Sequence, residues 1–412
     1  MDDYIKKNIA NLKPSATLAI NEKVKKLLKD GKKVFNFGFG QSPFPIPDKV
    51  VEVLKENAHK KDHLPMQGLP ELREAISKYL FKRTGVNYKK ENIIITPGSK
   101  EAMLLMHVVF NGEIILPSPS WVSYEPQAEI AKNKVHWIET SMDNNWFPTA
   151  KQFEDKIKSI GKKNIILIIN SPNNPSGSVC INLKEIAEVA KKNSVRILSD
   201  EIYTDLTFDK KYESISQFCP ENTFISSGLG KWCGAGGWRL GFFAVPTSQL
   251  DFLNALKALA SESYSTVNSP LQFAAVEAYK GDYSDYLNKT RSILKLVGNH
   301  VFNNLKSNKV LIHPPKGAFY LMPEFLNSKF SSSAEMCEDI LNKTGVALMP
   351  GSDFGFKSNN KMIARLSYTD FDGDIFLKGI ASGKKLDDGL VKKYAPNVVE
   401  GTHKLVEWSK TL

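Results

Sequence analysis

The sequence predicts an α/β fold: a mainly parallel, seven-stranded sheet flanked by helices, followed by a smaller α+β part. Three observations carry this. Between residues 92 and 245, short apolar runs alternate with stretches of helical periodicity, the pattern of a sheet covered on both faces. After a long helical stretch at 283–308 that alternation stops, and short strands mix with helices. Residues 226–242, Ser-Ser-Gly-Leu-Gly-Lys-Trp-Cys-Gly-Ala-Gly-Gly-Trp-Arg-Leu-Gly-Phe, lie between two apolar runs and read as strand, tight loop, strand.

Taken in order, residues 1–33 are polar with a helical stripe near Ile20–Leu28. Val34–Phe37 is a short strand, followed by Gly38, Gly40 and three prolines that stop any helix. Residues 48–85 read as helical, broken by a loop at 63–70. The strands of the sheet are then Ile93–Thr96, Glu113–Leu116, Val135–Ile138, Ile165–Asn170, Val195–Ser199, Thr223–Ser227 and Leu240–Val245. Four further strands are expected at Val310–Ile312, Ala318–Leu321, Val346–Met349 and Met362–Ser367. A chain of 412 residues makes about two domains. The expected division is a large domain at 48–285 and a small one made of 1–47 plus 286–412, with the N-terminal segment giving the small domain its first strand.

Composition narrows the function. Hydrophobic residues at 42% and charged residues at 24% suit a soluble globular enzyme. The net charge of +11 comes from scattered pairs such as Lys32-Lys33, Lys60-Lys61 and Lys191-Lys192, not from a basic stripe interleaved with aromatics, so no nucleic-acid partner is expected. Four distant cysteines lack metal spacing and no H-E-x-x-H pair occurs, so no metal is expected and the cysteines read as free thiols in a reducing compartment. The Met-Asp-Asp-Tyr start has no apolar leader, and no run approaches a membrane span. A cytoplasmic location is expected.

Chemistry gathers at the ends of apolar runs. In the loop at 226–242, glycines let the backbone approach a ligand. Lys231, with Arg239 nearby, has the makings of an amine with a lowered pKa that forms a Schiff base. Arg239 is a forked donor suited to phosphate. An aldehyde and a phosphate on one cofactor mean pyridoxal 5'-phosphate. N-S-P-N-N-P-S-G at 170–177 is a proline-locked turn that aims the Asn174 amide. In S-D-E-I-Y at 199–203, Asp200 either caps a helix or pairs with a protonated ring nitrogen, and Tyr203 could reach the same ring oxygen as Asn174. T-P-G-S-K-E-A at 96–102 opens a helix where Gly98, Ser99 and Lys100 present N–H groups to a phosphate, or where Ser99 merely caps. Trp121, in P-S-P-S-W-V-S-Y at 117–124, either stacks on a flat cofactor or packs in the core. Arg365, in M-I-A-R-L-S, lies within an apolar strand, where it pairs with an internal acid or a substrate carboxylate.

These residues, in this order, resemble the class I/II aminotransferases, the aspartate-aminotransferase-like branch of the fold-type I pyridoxal phosphate enzymes. The likeness covers nearly the whole chain. It includes the G-x-G turn at 38–40, G-L-P-E-L-R-E-A-I at 68–76, the asparagine–proline turn, D-E-I-Y, the lysine loop, K-G-A-F-Y at 316–320, M-P-G-S-D-F-G at 349–355 and A-R-L-S. The resemblance implies an L-amino acid and a 2-oxo acid as substrates, a ping-pong cycle, and a homodimer with active sites at the interface. It implies Lys231 as the Schiff-base lysine and proton carrier, with Asp200 holding the ring nitrogen. Asn174 and Tyr203 are implied at the ring oxygen and Trp121 over the ring. Gly98, Ser99, Lys100 and Arg239 are implied at the phosphate, and Arg365, Asn174 and Gly40 at the substrate carboxylate. Two positions depart from the family pattern. Gly228 stands where many relatives have a phosphate-binding serine, leaving Ser226 or Ser227 to substitute. His63 stands where relatives often have a tyrosine that reaches the neighbouring subunit's phosphate.

Fold alone does not fix the reaction. A C–S lyase, a decarboxylase, a cyclising synthase, or a non-catalytic regulator that binds the same cofactor would share these motifs. Nor is the substrate side chain legible. The stretch Ser261-Glu-Ser-Tyr-Ser-Thr266 lacks the second arginine expected of the best-known dicarboxylate enzymes.

Overall fold

The computed structural model describes residues 4–161, 163–209, 212–356, 361–380 and 386–412. Met1, Asp2 and Asp3, part of the polar start read above, lie outside the described residues. In chain order the strands are β1 (Phe35–Asn36), β2 (Ile93–Thr96), β3 (Glu113–Ser118), β4 (Val135–Glu139), β5 (Ile165–Asn170), β6 (Arg196–Asp200) and β7 (Thr223–Gly228). They continue as β8 (Gly241–Ala244), β9 (Val310–Leu311), β10 (Tyr320–Leu321), β11 (Glu324–Phe325), β12 (Val346–Ala347), β13 (Met349–Pro350) and β14 (Ala364–Ser367). Seven of these form one sheet in the order β2-β8-β7-β6-β5-β3-β4. Its ladders are parallel except around β8, which runs antiparallel to both β7 and β2.

The alternation of side chains along each strand explains the layers. Ile166 and Ile168 of β5 join Ile114, Leu116, Leu198, Phe224 and Phe243 in a core roofed by the helices Ser99–Val109 and Leu250–Ser263. Ile165, Leu167 and Ile169 point the other way, into a core with Phe153, Ile157, Leu183 and Ile186 from the helices Ala150–Ile160 and Leu183–Lys192. Each such aliphatic side chain, removed from water, stabilises the fold by about 1.5–3 kcal/mol. The remaining helices read from sequence appear at Ala16–Lys29, Asp48–Asn57, Pro70–Thr84 and Ser284–Leu305.

The C-terminal part differs in detail from its sequence reading. The expected strand at Val346–Met349 divides at Leu348. Its first half, β12, pairs in parallel with β1, so the N-terminal segment does supply a strand there. Its second half, β13, pairs antiparallel with β14, placing Met349 opposite Arg365. A continuous apolar run gives no sign of a change of partner, which is why the break was not legible.

One topological fact places the site. From β3 the chain crosses to β4 on one side, whereas β5, β6 and β7 succeed each other on the other side. Such a reversal opens a crevice at the carboxyl ends of the strands. The segments leaving β3, β5 and β6 there carry Trp121, Asn174 and Asp200.

Candidate active site

A cavity of about 520 Å³ occupies that crevice. Of the residues singled out from sequence, Gly40, Gly98, Ser99, Lys100, Trp121, Asn174, Asp200, Tyr203, Lys231, Arg239 and Arg365 all line it. Ser226, Ser227 and His63 do not. Ser226 is fully buried in β7 with no partner for its hydroxyl, Ser227 donates to the Glu201 carbonyl at 3.2 Å, and His63 is exposed.

At the floor lies Asp200, the last residue of β6 and 4% exposed. The Tyr124 hydroxyl donates to its Oδ2 at 2.7 Å, and the Ile202 backbone N–H to its Oδ1 at 3.3 Å. Burial outweighs these bonds and pushes the carboxyl up to about 6. The folded value lies above the unfolded one, so the native state binds the proton more readily, and this advantage is lost as pH rises through 6. At pH 8 the ionised carboxylate sits buried at a cost of about 1–3 kcal/mol. Asp200→Asn in cofactor-free protein is therefore expected to raise unfolding free energy by that amount at pH 8, with the gain vanishing toward pH 4. Urea unfolding at the two pH values measures it.

Lys231 enters from the loop between β7 and β8, donating to the Gly40 carbonyl at 2.8 Å. Burial first, and the Arg365 cation second, bring its ammonium down to about 8. The neutral, nucleophilic amine is thus far more populated near neutral pH than in an ordinary lysine. Beside it the Asn174 amide donates to the Tyr203 hydroxyl at 3.4 Å, and Tyr203 shares a 2.8 Å bond with the Tyr320 hydroxyl. The Asn174 turn is held by its own backbone N–H donating to Asn170 Oδ1 at 2.7 Å.

One end of the cavity is cationic and rich in N–H groups. Gly98, with φ at +88°, turns the chain out of β2 into the helix Ser99–Val109, whose first N–H groups have no side-chain cap. Arg239 donates to the carbonyls of Gly236 at 3.1 Å and Pro97 at 3.3 Å. A Cβ on Gly98 would lie 2.5 Å from Arg239 Nη2, so the glycine is what lets the guanidinium approach. Lys100 stands over Trp121, its Nζ 5.5 Å from the ring centroid, its pKa lowered by burial and then by Arg239. Two cations and a helix N-terminus together form an anion subsite.

At the other end Arg365 is wholly buried in β14. Its Nη1 donates to Asn174 Oδ1 at 3.1 Å and its Nη2 to the Gly38 carbonyl at 2.5 Å, while Nε has no partner among the described residues. No carboxylate among the described residues forms an ion pair with it. Asp353 is near enough for the two charges to act on each other, but it does not form an ion pair with Arg365. A buried guanidinium with donors to spare suits a carboxylate arriving with a ligand.

Two contributors escaped the sequence reading. Tyr124 lay within the quoted 117–124 segment, but nothing in its spacing tied it to Asp200, 76 residues on. Tyr320 lay in K-G-A-F-Y, yet only the fold brings its ring to 4.8 Å from the Arg365 guanidinium and so close to Gly40 that a Cβ there would meet its hydroxyl at 2.1 Å.

Comparison with known proteins agrees with this arrangement. Residues 32–371 match the model of the family described as aminotransferase class I and II. An aspartate aminotransferase of Geobacillus stearothermophilus is 34% identical over 88% of this chain and 93% of its own. One from Bacillus sp. strain YM-2 is 32% identical over 89% and 95%. Among solved structures, the Thermus thermophilus aspartate aminotransferase with maleate superimposes with a TM-score of 0.85 at 25% identity, covering 98% of this chain and 99% of that one. The Thermotoga maritima aspartate aminotransferase gives 0.82 at 27%, covering 98% and 99%. The chain thus belongs to the class I and II aminotransferases and is an enzyme of the transferase class.

Proposed function

We propose that this cavity holds pyridoxal 5'-phosphate and moves the amino group of an L-amino acid to a 2-oxo acid in two half-reactions. The observation that carries the reading is the placing of one pKa-lowered amine, one buried carboxylate and one buried guanidinium around a single space. The cofactor fits what the residues offer: Arg239, Lys100 and the start of the helix Ser99–Val109 for its phosphate, Asp200 for its ring nitrogen, Tyr203 and Asn174 for its ring oxygen, and Trp121 for its face. When bound, it supplies a reactive aldehyde and a ring that accepts electron density.

The chain's own residues do the rest. Asp200 keeps a proton on the ring nitrogen by facing it with a carboxylate. Arg365 fixes the substrate α-carboxylate and so orients the Cα–H bond. With the cofactor bound, Lys231 Nζ would serve as the general base for the substrate Cα proton and would give that proton back from the same face. The half-buried rings of Trp121 and Phe39 line the same cavity.

L-Aspartate is the first amino acid to test, because the relatives above carry that name. Mixing the cofactor-loaded enzyme with amino acids one at a time, without an oxo acid, should change the cofactor's visible spectrum stoichiometrically. A protein that binds the cofactor but shows this change with no amino acid would overturn the reading. Arg365→Leu is expected to lower kcat/KM by about 10²–10³, the value of a buried, doubly bonded charge pair, with most of the loss in KM. Arg365→Lys should not restore it, since a lysine lacks the fork.

The proposed division into 48–285 and 1–47 plus 286–412 is supported by the β1–β12 pairing. The exposed His63 supports a homodimer in which it reaches the second copy's phosphate subsite. Four buried free cysteines support a reducing, cytoplasmic setting. No described helix is long and apolar enough to cross a membrane.

A further inference from the structure

The stretch K-G-A-F-Y at 316–320 ends in a side chain, Tyr320, that the proposed reaction leaves unused. Main-chain bonds fasten two stretches leaving the sheet to this segment. The backbone N–H groups of Lys316 and Gly317 donate to the Gly177 carbonyl at 3.0 and 3.1 Å, which fixes the end of the Asn174 turn after β5. The N–H of Phe208 donates to the Lys316 carbonyl, and that of Ala318 to the Leu206 carbonyl, each at 3.0 Å. These two bonds fix the chain that follows Tyr203 after β6. Tyr320 itself opens β10, opposite Ser367 of β14. One short segment therefore sets Asn174, Tyr203 and Tyr320 against each other.

Tyr203 and Tyr320 both line the cavity. Their rings meet edge-on with centroids 5.6 Å apart, and Phe319 holds the Tyr203 ring in the same way at 5.6 Å. Among the described residues the Tyr203 oxygen has two hydrogen-bond partners, Asn174 Nδ2 at 3.4 Å and Tyr320 Oη at 2.8 Å. Asn174 Oδ1 already accepts from Arg365, so it is the amide NH₂ that faces Tyr203, and it can only donate. The charged groups around the two phenols are Arg365 from β14, Asp200 from β6 and Lys231 from the loop after β7. The other phenol beside them, Tyr368, donates to the Ala318 carbonyl at 3.4 Å. Burial holds the protons of Tyr203 and Tyr320 on. At Tyr320 the next influence is the Arg365 cation, which opposes burial, whereas Tyr203 also faces the Asp200 carboxyl, which adds to it. Tyr320, beneath that cation, is thus the readier donor of the two.

We propose that Tyr320 is a positioning residue for Tyr203: its O–H donates to the Tyr203 oxygen and leaves the one proton of Tyr203 to point into the cavity, at the ring oxygen of the cofactor. This role rests on Tyr203 standing at that oxygen. A phenol has a single proton to give. With Asn174 and Tyr320 both donating to its oxygen, Tyr203 has no described acceptor left on the protein side. The two O–H bonds then run in one direction toward the ring oxygen, and each strengthens the next.

The test is a pH titration of the visible absorption band of the protein loaded with pyridoxal 5'-phosphate, with no amino acid present. A donor at the ring oxygen favours its anionic form, and so favours release of the proton from the nitrogen that joins lysine and cofactor. Loss of the donor raises the pH at which the band changes. Tyr203→Phe should raise that midpoint by about one pH unit, as expected for one hydrogen bond to a charged oxygen. Tyr320→Phe should raise it by about half a unit, since Tyr203 keeps its proton and its Asn174 contact. The double variant should match Tyr203→Phe alone, because Tyr320 acts on the ring oxygen only through Tyr203. Phenylalanine keeps the packed ring at both positions. A midpoint moved by Tyr203→Phe but not by Tyr320→Phe would overturn the role of Tyr320 and leave that of Tyr203 standing. A Tyr320→Phe shift that adds in full to the Tyr203→Phe shift would do the same. No shift in Tyr203→Phe would remove Tyr203 from the ring oxygen, and the role of Tyr320 with it.

Discussion

Lys231→Ala is expected to lose turnover by about 10⁴-fold or more while the protein still folds. The lysine is asked for two things. In the proposed reaction its neutral amine would form the covalent link to the cofactor's aldehyde, and the same nitrogen would later carry a proton between two carbons. General-base catalysis by a positioned group is worth about 10²–10⁴, and loss of the covalent attachment adds to it. The structure explains why the amine is ready. Burial and the Arg365 charge bring it to about 8. The substitution also removes a cation held near two others, Arg365 and Arg239, so a loss of stability is not expected. The measurement is the single-turnover spectral change with an amino acid, with and without added methylamine. An amine from solution should return part of the rate if the defect is the missing base. Turnover within tenfold of the parent would refute the assigned role.

Asp200→Asn carries the second-largest expected effect, a fall in kcat of about 10²–10³, as for other preorganised charges aimed at a developing charge. Asparagine keeps the shape and can accept from Tyr124, but it cannot hold a positive ring nitrogen. The loss should therefore fall on kcat more than on KM. Tyr124 fixes the orientation of the acid through its 2.7 Å bond. The same substitution is expected to stabilise the cofactor-free fold at pH 8, as derived above. Opposite signs for activity and stability at one residue would show that the buried carboxylate is maintained for chemistry. Equal kcat in the variant would remove Asp200 from the mechanism.

Much of the fold was legible because the sheet writes itself in a period of two and its helices in 3.6. Ile165 to Ile169 alternate between two cores, so strand and burial could be read together. All seven strands of the main sheet were found to within a few residues. Many residues that line the cavity were legible for a related reason: Gly98, Ser99, Trp121, Asn174 and Asp200 stand where an apolar run ends at a proline, a glycine or a helix start, and Arg365 stood out as a cation within an apolar strand. What escaped was set by partners distant in sequence. Leu348 breaks a run only because β12 and β13 find different neighbours. Tyr124 and Tyr320 matter only through residues 76 and 45 positions away, Asp200 and Arg365.

The reversed direction of β8 has a geometric outcome. Among parallel neighbours, the chain just before a strand begins lies at the opposite rim from the residues that bind ligands. Because β8 runs counter to β7 and β2, its entrance is at the ligand rim, opposite Thr96 and Gly228. One short return of the chain can therefore bring both Lys231 and Arg239 to the same opening. With every strand aligned, the connection would have to cross back over the sheet and would deliver the arginine to the wrong edge. A single inverted strand is what lets one hairpin hold both the anchoring amine and the anion-binding fork.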